Sequence, residues 1–167
     1  MTGGPQELRT VYFRFIMSAM EGERLLLTVP CHFGTEAVLK REILSLGFEI
    51  KNVSDGRITF EGDARAVALS NIHLRTAERV YIEVGNFCAL TFDEFFEGIK
   101  ALPWERFIGK NGRFWVTKAS SVDSKLFSPS DLQSLAKKAM AVRLGKKYGL
   151  EWLPEDGEPY PVRIFLK

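Results

Sequence analysis

The order of apolar patterns between Arg24 and Val84 constrains the fold of this chain more than any other feature. Alternation with a period of two residues indicates half-buried strands, and spacing of three to four residues indicates amphipathic helices. Together these patterns predict a strand, a helix, a hairpin, a helix and a strand: Arg24–Pro30, His32–Leu46, Phe48–Val53 with Arg57–Phe60, Asp63–Leu74 and Arg79–Val84. This order is the split β-α-β arrangement of ferredoxin-like folds, so we expect an α+β protein.

The second half of the chain predicts a separate α/β subdomain. Thr91 is placed to cap a helix from Phe92 to Lys100, and Pro129 is suited to the first turn of a later helix. The later elements are expected to be a strand, a serine-rich loop, a helix to about Lys147 and a last strand: Arg113–Ala119, Ser120–Ser130, the helix from Pro129, and Pro161–Leu166. Because a final strand normally needs neighbours, we expect this subdomain to be truncated at its C-terminal end.

Composition excludes several classes of protein. The chain has 167 residues, 46% of them hydrophobic and 26% charged, which is enough for two small packed domains. No apolar run approaches the roughly 20 residues that cross a bilayer, so we expect no membrane partner. Residues 1–22 lack a secretory cleavage pattern and are expected to form an unstructured leader. Two cysteines without a C-x-x-C pair, and two histidines, predict reduced thiols in a cytoplasmic protein without a metal site.

We expect no catalytic residue and no cofactor site in this chain. Its sequence contains no dinucleotide fingerprint, no phosphate-binding P-loop and no G-x-S-x-G nucleophile motif. The carboxylate pairs Asp93-Glu94 and Glu155-Asp156 lie in solvent-like stretches of the sequence, where nothing indicates the burial or neighbouring charge that general acid/base chemistry needs.

A positive block lies between residues 108 and 148. This stretch contains nine basic and two acidic side chains, whereas the net charge of the whole chain is only +2. Such a block is typical of proteins that bind polyanions, although a solvated helix face has the same composition. Ammonium and hydroxyl groups can contact phosphates, and an aromatic ring can stack on an unpaired base. The candidate RNA contacts are Lys118, Ser120, Ser121, Lys125, Phe127, Ser128, Lys137 and Lys138; Phe127 is equally well explained as a core residue.

Helical spacing after Pro129 predicts a buried face and a basic face. The predicted buried face carries Leu132, Leu135, Ala136, Ala139 and Val142. Lys137 and Lys138 are expected on the opposite, exposed face. Arg143 falls within the apolar arc, where it could pair with an acidic side chain or reach over the rim.

Several stretches resemble the N-terminal region of bacterial THUMP-containing methyltransferases that act on guanine N2 of large-subunit ribosomal RNA. They are Gly34-Thr-Glu36 through Leu39, Glu42 and Leu46-Gly47; Leu74–Arg79; Thr91–Glu94 with Leu102–Glu105; and Ser124–Ser128 with Gln133, Lys137–Ala139 and Arg143-Leu144. The resemblance covers about residues 24–167, with Thr35 standing where the family usually has leucine. It implies a ferredoxin-like domain over residues 23–87 and a THUMP domain over 88–167. An S-adenosylmethionine-binding catalytic domain would follow.

The resemblance implies a division of labour between this chain and the catalytic domain. The family's Asn-Pro-Pro-aromatic motif, its glycine-rich cofactor loop and the final THUMP strand do not occur here. We therefore expect an RNA-binding, substrate-delivery module whose partners are RNA, ribosomal by the resemblance, and the methyltransferase domain of the same protein. Two alternatives remain open. One is a protein-docking or scaffolding module using the helix Phe92–Ile99, and the other is the RNA-binding part of a THUMP enzyme acting on transfer RNA.

Overall fold

A computed structural model describes residues 8–13, 23–121 and 128–166, with the backbone alone for 8–13 and 121. They divide into two compact units, one within Arg14–Glu83 and one within Val84–Lys167 together with the strand β1 (Leu8–Phe13). We call the first the ferredoxin-like unit and the second, after the domain that its sequence resembles, the THUMP unit. No helix of the described residues is long and apolar enough to cross a membrane.

The ferredoxin-like unit has the predicted order of elements. These are β2 (Leu25–Pro30), α1 (Glu36–Ser45), β3 (Glu49–Ser54), β4 (Arg57–Gly62), α2 (Ala64–His73) and the start of β5 (Tyr81–Cys88). The antiparallel strands lie in the order β3-β4-β2-β5, in which β2 pairs with both β4 and β5. This topology confirms the predicted split β-α-β fold.

Local sequence signals explain where these helices begin and end, but they overestimate the buried faces. The Asp63 side chain caps α2 by accepting a hydrogen bond from the Ala66 backbone N–H at 2.8 Å. Gly47, just after α1, has a φ of +83°, a left-handed conformation that favours glycine. Helical spacing in the sequence assigns Val38 to the apolar face of α1 and Ile72 to the inner face of α2. Both assignments are wrong, since both side chains are exposed. Each helix has ten residues, and only two or three of them are buried, so the buried faces are narrower than the apolar spacing predicted.

The THUMP unit places two helices against a short sheet. Its elements after β5 are α3 (Phe92–Ala101), a single 3-10 turn (Trp104–Arg106), β6 (Arg113–Ser121), α4 (Pro129–Tyr148) and β7 (Pro159–Leu166). The strand order is β1-β7-β6, with β7 parallel to β6 and antiparallel to β1. α4 contacts both α3 and β6, so it is the central packing element of this unit.

The expectation of an unstructured leader is wrong for Leu8–Phe13. These residues form β1, whose register against β7 runs from Arg9 opposite Leu166 to Phe13 opposite Val162. The error has a simple physical cause. A strand is stabilised by its hydrogen-bonding neighbour, and here that neighbour lies at the other end of the chain, beyond any local pattern. Residues 1–7 and 14–22 lie outside the described residues.

α4 buries a different arc of side chains from the one predicted. Leu132, Ala136 and Ala139 are fully buried as expected, but Val142 is 44% exposed and Leu135 is half-buried. Met140 and Leu144 take their place in the core. The buried arc is rotated because α4 packs against α3 and the 3-10 turn as well as β6.

Candidate nucleic-acid interface

β6 and α4 carry the described candidates for RNA contact. Lys118 is exposed on β6, Ser120 is half-buried near the end of that strand, and Lys138 is exposed on α4. Ser128 immediately precedes α4, and its hydroxyl lies 3.5 Å from the Ser130 hydroxyl without capping the helix.

Three candidates cannot be placed as side chains. Lys125 and Phe127 lie outside the described residues, and Ser121 is described by its backbone alone. Whether the Phe127 ring is a stacking surface or a core residue therefore stays a question for experiment.

Lys137 differs from its neighbour Lys138 in its surroundings. Its ammonium group pairs with Glu155 Oε2 at 3.1 Å and lies 5.7 Å from the centre of the buried Phe114 ring. The side chain is half-buried, so the expectation that both lysines lie on a fully exposed face holds for Lys138 alone. Lys137 thus has a structural contact that a phosphate would have to compete with.

Arg143 makes the shorter of the two ion pairs described for α4. Its guanidinium donates two hydrogen bonds to Glu105, from Nη2 to Oε1 at 2.6 Å and from Nε to Oε2 at 3.0 Å. This two-point contact lowers the pKa of the Glu105 carboxyl below its usual range. Of the two expectations for Arg143, pairing with an acid is confirmed. The pair joins α4 to the 3-10 turn and removes Arg143 from the positive surface.

Three other lysines of β6 and α4 are more exposed to solvent than Lys137. Lys118, Lys138 and Lys146 are exposed, and none of them has an ion-pair partner among the described residues. Lys138 and Lys146 are eight residues apart on one face of α4, a separation of about 12 Å along the axis. The sequence analysis placed Lys146 in the positive block but missed it as a contact.

A groove runs along this face of α4. The segment after the helix, residues 150–155, turns back beside it, and we call that segment the strap. The Leu150 N–H donates to the Gly145 carbonyl at 2.9 Å at one end of the strap, and Glu155 pairs with Lys137 at the other. The space between helix and strap has a volume of about 850 Å³. Its lining includes Lys138, Val142 and Lys146 from α4, and Leu150, Trp152 and Pro154 from the strap.

Trp152 is the feature of the groove that sequence reasoning missed. Its side chain is 85% exposed, the highest value among the large hydrophobic residues described. The available signal was a tryptophan after the helix-ending Gly149, in a stretch without strand or helix periodicity. No group of three or more potential metal ligands occurs among the described residues.

These observations define the class of protein: a ferredoxin-like unit followed by an α/β unit with a basic surface on its long helix. Comparison with known families agrees with this division. The model of the RlmL ferredoxin-like domain matches residues 26–81, and the model of the THUMP domain matches residues 89–166. The chain therefore belongs to the family of proteins that combine these two domains, which confirms the resemblance seen in its sequence.

Individual relatives point in the same direction. The chain is 43% identical over 149 residues to a Bacillus subtilis protein named "Putative RNA methyltransferase YpsC", covering 88% of this chain and 38% of the relative. It is 26% identical over 78 residues to ribosomal RNA large subunit methyltransferase K/L of a Marinomonas species, covering 47% of this chain and 11% of the relative. A crystal structure described as a possible methylase from Clostridium difficile 630 superimposes with a TM-score of 0.84. That protein is 44% identical in sequence, and the match covers 86% of this chain and 38% of the Clostridium difficile chain.

Proposed function

We propose that this chain binds ribosomal RNA and delivers it to an S-adenosylmethionine-dependent methyltransferase domain that acts on guanine N2. The chain spans only 38% of the length of its relative from Bacillus subtilis, so the chemistry is assigned to residues outside it. The described residues would supply substrate binding, and the cofactor would be held by the catalytic domain.

The exposed lysines of β6 and α4 carry this proposal. Lys118, Lys138 and Lys146 have no acidic partner among the described residues, whereas Lys137 and Arg143 are neutralised within the unit. Exposed ammonium groups attract phosphates, which position a nucleic acid without reading its sequence. A delivery module needs this kind of contact, because the choice of nucleotide can be left to the catalytic site.

The docking alternative is supported less well by the packing of α3. Phe95 and Ile99 are fully buried in the THUMP core, and Phe87 packs over Gly98. Only Phe92, 42% exposed, and the half-buried Phe96 remain for a protein partner. The other alternative, a transfer-RNA substrate, is distinguished by competition between RNAs.

The experiment is a filter-binding titration of a ribosomal RNA fragment at several salt concentrations, with transfer RNA and DNA as competitors. The double variant Lys118→Glu/Lys138→Glu should bind at least about tenfold more weakly and show a salt slope shallower by roughly one to two units. Lys40→Glu/Arg65→Glu is the matched control, since both are exposed basic residues of the ferredoxin-like unit and the net charge changes by the same amount. If the control variant loses as much RNA affinity as the Lys118→Glu/Lys138→Glu variant, binding at these lysines is contradicted. If transfer RNA binds more tightly than the ribosomal RNA fragment, the substrate is transfer RNA.

A further inference from the structure

The α4 groove combines an unusually exposed ring with a defined backbone geometry. Trp152 lies in the middle of the strap, and the strap is anchored at both ends by the Leu150–Gly145 hydrogen bond and the Glu155–Lys137 ion pair. Contiguous apolar surface exposed to water marks a contact site, and the exposed Trp152 ring lines one groove together with Val142 and Pro154. Since the strap is held at both ends, the ring is presented on a fixed support.

The backbone of the strap supports the same view. Glu155 has a φ of +50°, a left-handed conformation that a non-glycine residue adopts at a cost of about 1 kcal/mol. At Gly145 a Cβ atom would lie 2.8 Å from the Leu150 carbonyl oxygen, so glycine is required where strap and helix meet. Both features keep the strap close to α4 and leave the groove open beside it.

Charge selects among the occupants such a groove could take. Lys138 and Lys146 border it without an ion-pair partner among the described residues, and Lys137 is paired with Glu155. Glu151 is the second carboxylate of the lining, so three ammonium groups and two carboxylates leave the groove with a positive charge. A purely apolar protein segment would leave these ammonium groups without a partner. A nucleotide places a π-face and a phosphate on one ligand, and aromatic rings combined with basic groups are the usual way to bind single strands.

We infer that the α4 groove binds unpaired nucleotides of the RNA, with a base stacked on the Trp152 indole and phosphates at Lys138 and Lys146. This inference rests on the proposed function and makes it more specific. The exposed lysines of β6 and α4 would hold the RNA backbone. The groove would select single-stranded over double-stranded segments, because the bases of a duplex are already stacked on one another. Trp152 thus offers a stacking ring within the described residues, in addition to the sequence candidate Phe127.

The test uses the whole chain and a single-stranded RNA hexamer, with three related probes: its duplex, an abasic hexamer of the same backbone, and the ribosomal RNA fragment. Trp152→Ala should weaken binding of the hexamer by at least about fivefold. Trp152→Phe should recover most of the affinity. Neither substitution should change binding of the abasic hexamer, because stacking requires a base. Trp115→Phe, which alters a half-exposed ring outside the groove, should leave all affinities unchanged.

The outcomes separate this inference from the proposed function. If the Trp152→Ala variant binds the hexamer as tightly as the wild type, while Lys118→Glu/Lys138→Glu still weakens binding of the ribosomal RNA fragment, the groove inference is wrong and the proposed function stands. If the wild type binds none of the RNAs at any salt concentration, both fail. A loss of affinity equally large for the abasic hexamer would also overturn stacking, because it would show that the substitution acts on backbone contacts or on the strap itself.

Discussion

The long helix of the THUMP unit, α4, differs from the two helices of the ferredoxin-like unit in its length and in the charge of its surroundings. In the ferredoxin-like unit, α1 and α2 have ten residues each and bury two or three side chains. In the THUMP unit, α4 has twenty residues and buries five. The ferredoxin-like unit balances its charge, with eight basic and nine acidic side chains between residues 23 and 83, whereas residues 108–148 carry nine and two.

This difference indicates that α4 has two roles on two faces. Its inner face holds the THUMP unit together, and its outer face presents cations that the unit does not neutralise. On the proposed function, RNA binding should therefore be lost through the outer face without loss of the fold, and the fold should be lost through residues of the inner face. The following predictions test this separation.

The largest effect is expected from a charge placed on the inner face of α4. Leu132 is fully buried, so Leu132→Asp should destabilise the THUMP unit by at least about 3 kcal/mol through burial of a carboxylate without a partner. Val142→Asp is the matched control, because Val142 is 44% exposed on the same helix. All three tryptophans of the chain, Trp104, Trp115 and Trp152, lie in the THUMP unit, so tryptophan fluorescence during urea unfolding reports this unit. Similar midpoints for the two variants would mean that the two faces of α4 are not separate.

The same helix shows how far sequence patterns reach. They predicted that α4 begins at Pro129 and ends near Lys147, because both ends depend on the local backbone: Pro129 suits the first turn and Gly149 follows the last. They mistook Val142 for a buried residue and missed Met140, because the rotation of a helix depends on every element packed against it. Arg143 was the local sign of that rotation, since a cation inside an apolar arc needs a partner, here Glu105.

The ferredoxin-like topology was predictable for a related reason. Each of its elements has its own periodic pattern, and only one common arrangement fits their order. β1 and the strap lacked such a signal. β1 depends on a partner strand distant in sequence, and the strap on a hydrogen bond and an ion pair that return it to α4. The exposure of Trp152 follows from that tertiary arrangement, so no local pattern could have predicted the groove.

A smaller effect is expected from the ion pair between α4 and the 3-10 turn. Replacement of Glu105 by glutamine removes the charge that Arg143 contacts and should destabilise the THUMP unit by about 1 kcal/mol at neutral pH. Arg143 depresses the folded-state pKa of Glu105, so its contribution is fully present above the unfolded pKa of about 4.3. That contribution is lost as the pH falls through the folded-state value. Unfolding of wild type and Glu105→Gln should therefore converge in acid, and a difference that persists there would assign the effect to packing.

The smallest effect is expected from the charge network of the ferredoxin-like unit. Glu61 accepts a hydrogen bond from Arg24 at 2.6 Å and pairs with Lys51 at 3.0 Å, and these contacts lower the pKa of its carboxyl. The Arg24 side chain is 82% exposed, so salt should screen this network. Amide hydrogen exchange in β2 and β4, followed for wild type and Glu61→Gln, measures the stability of this unit without tryptophan. The two should differ slightly at low salt and become indistinguishable at high salt. The Glu105→Gln difference, followed by tryptophan fluorescence, should largely persist because Arg143, the partner of that carboxyl, is 34% exposed. Equal sensitivity of the two pairs to salt would contradict the contrast between a neutralised, solvated surface and a structural ion pair.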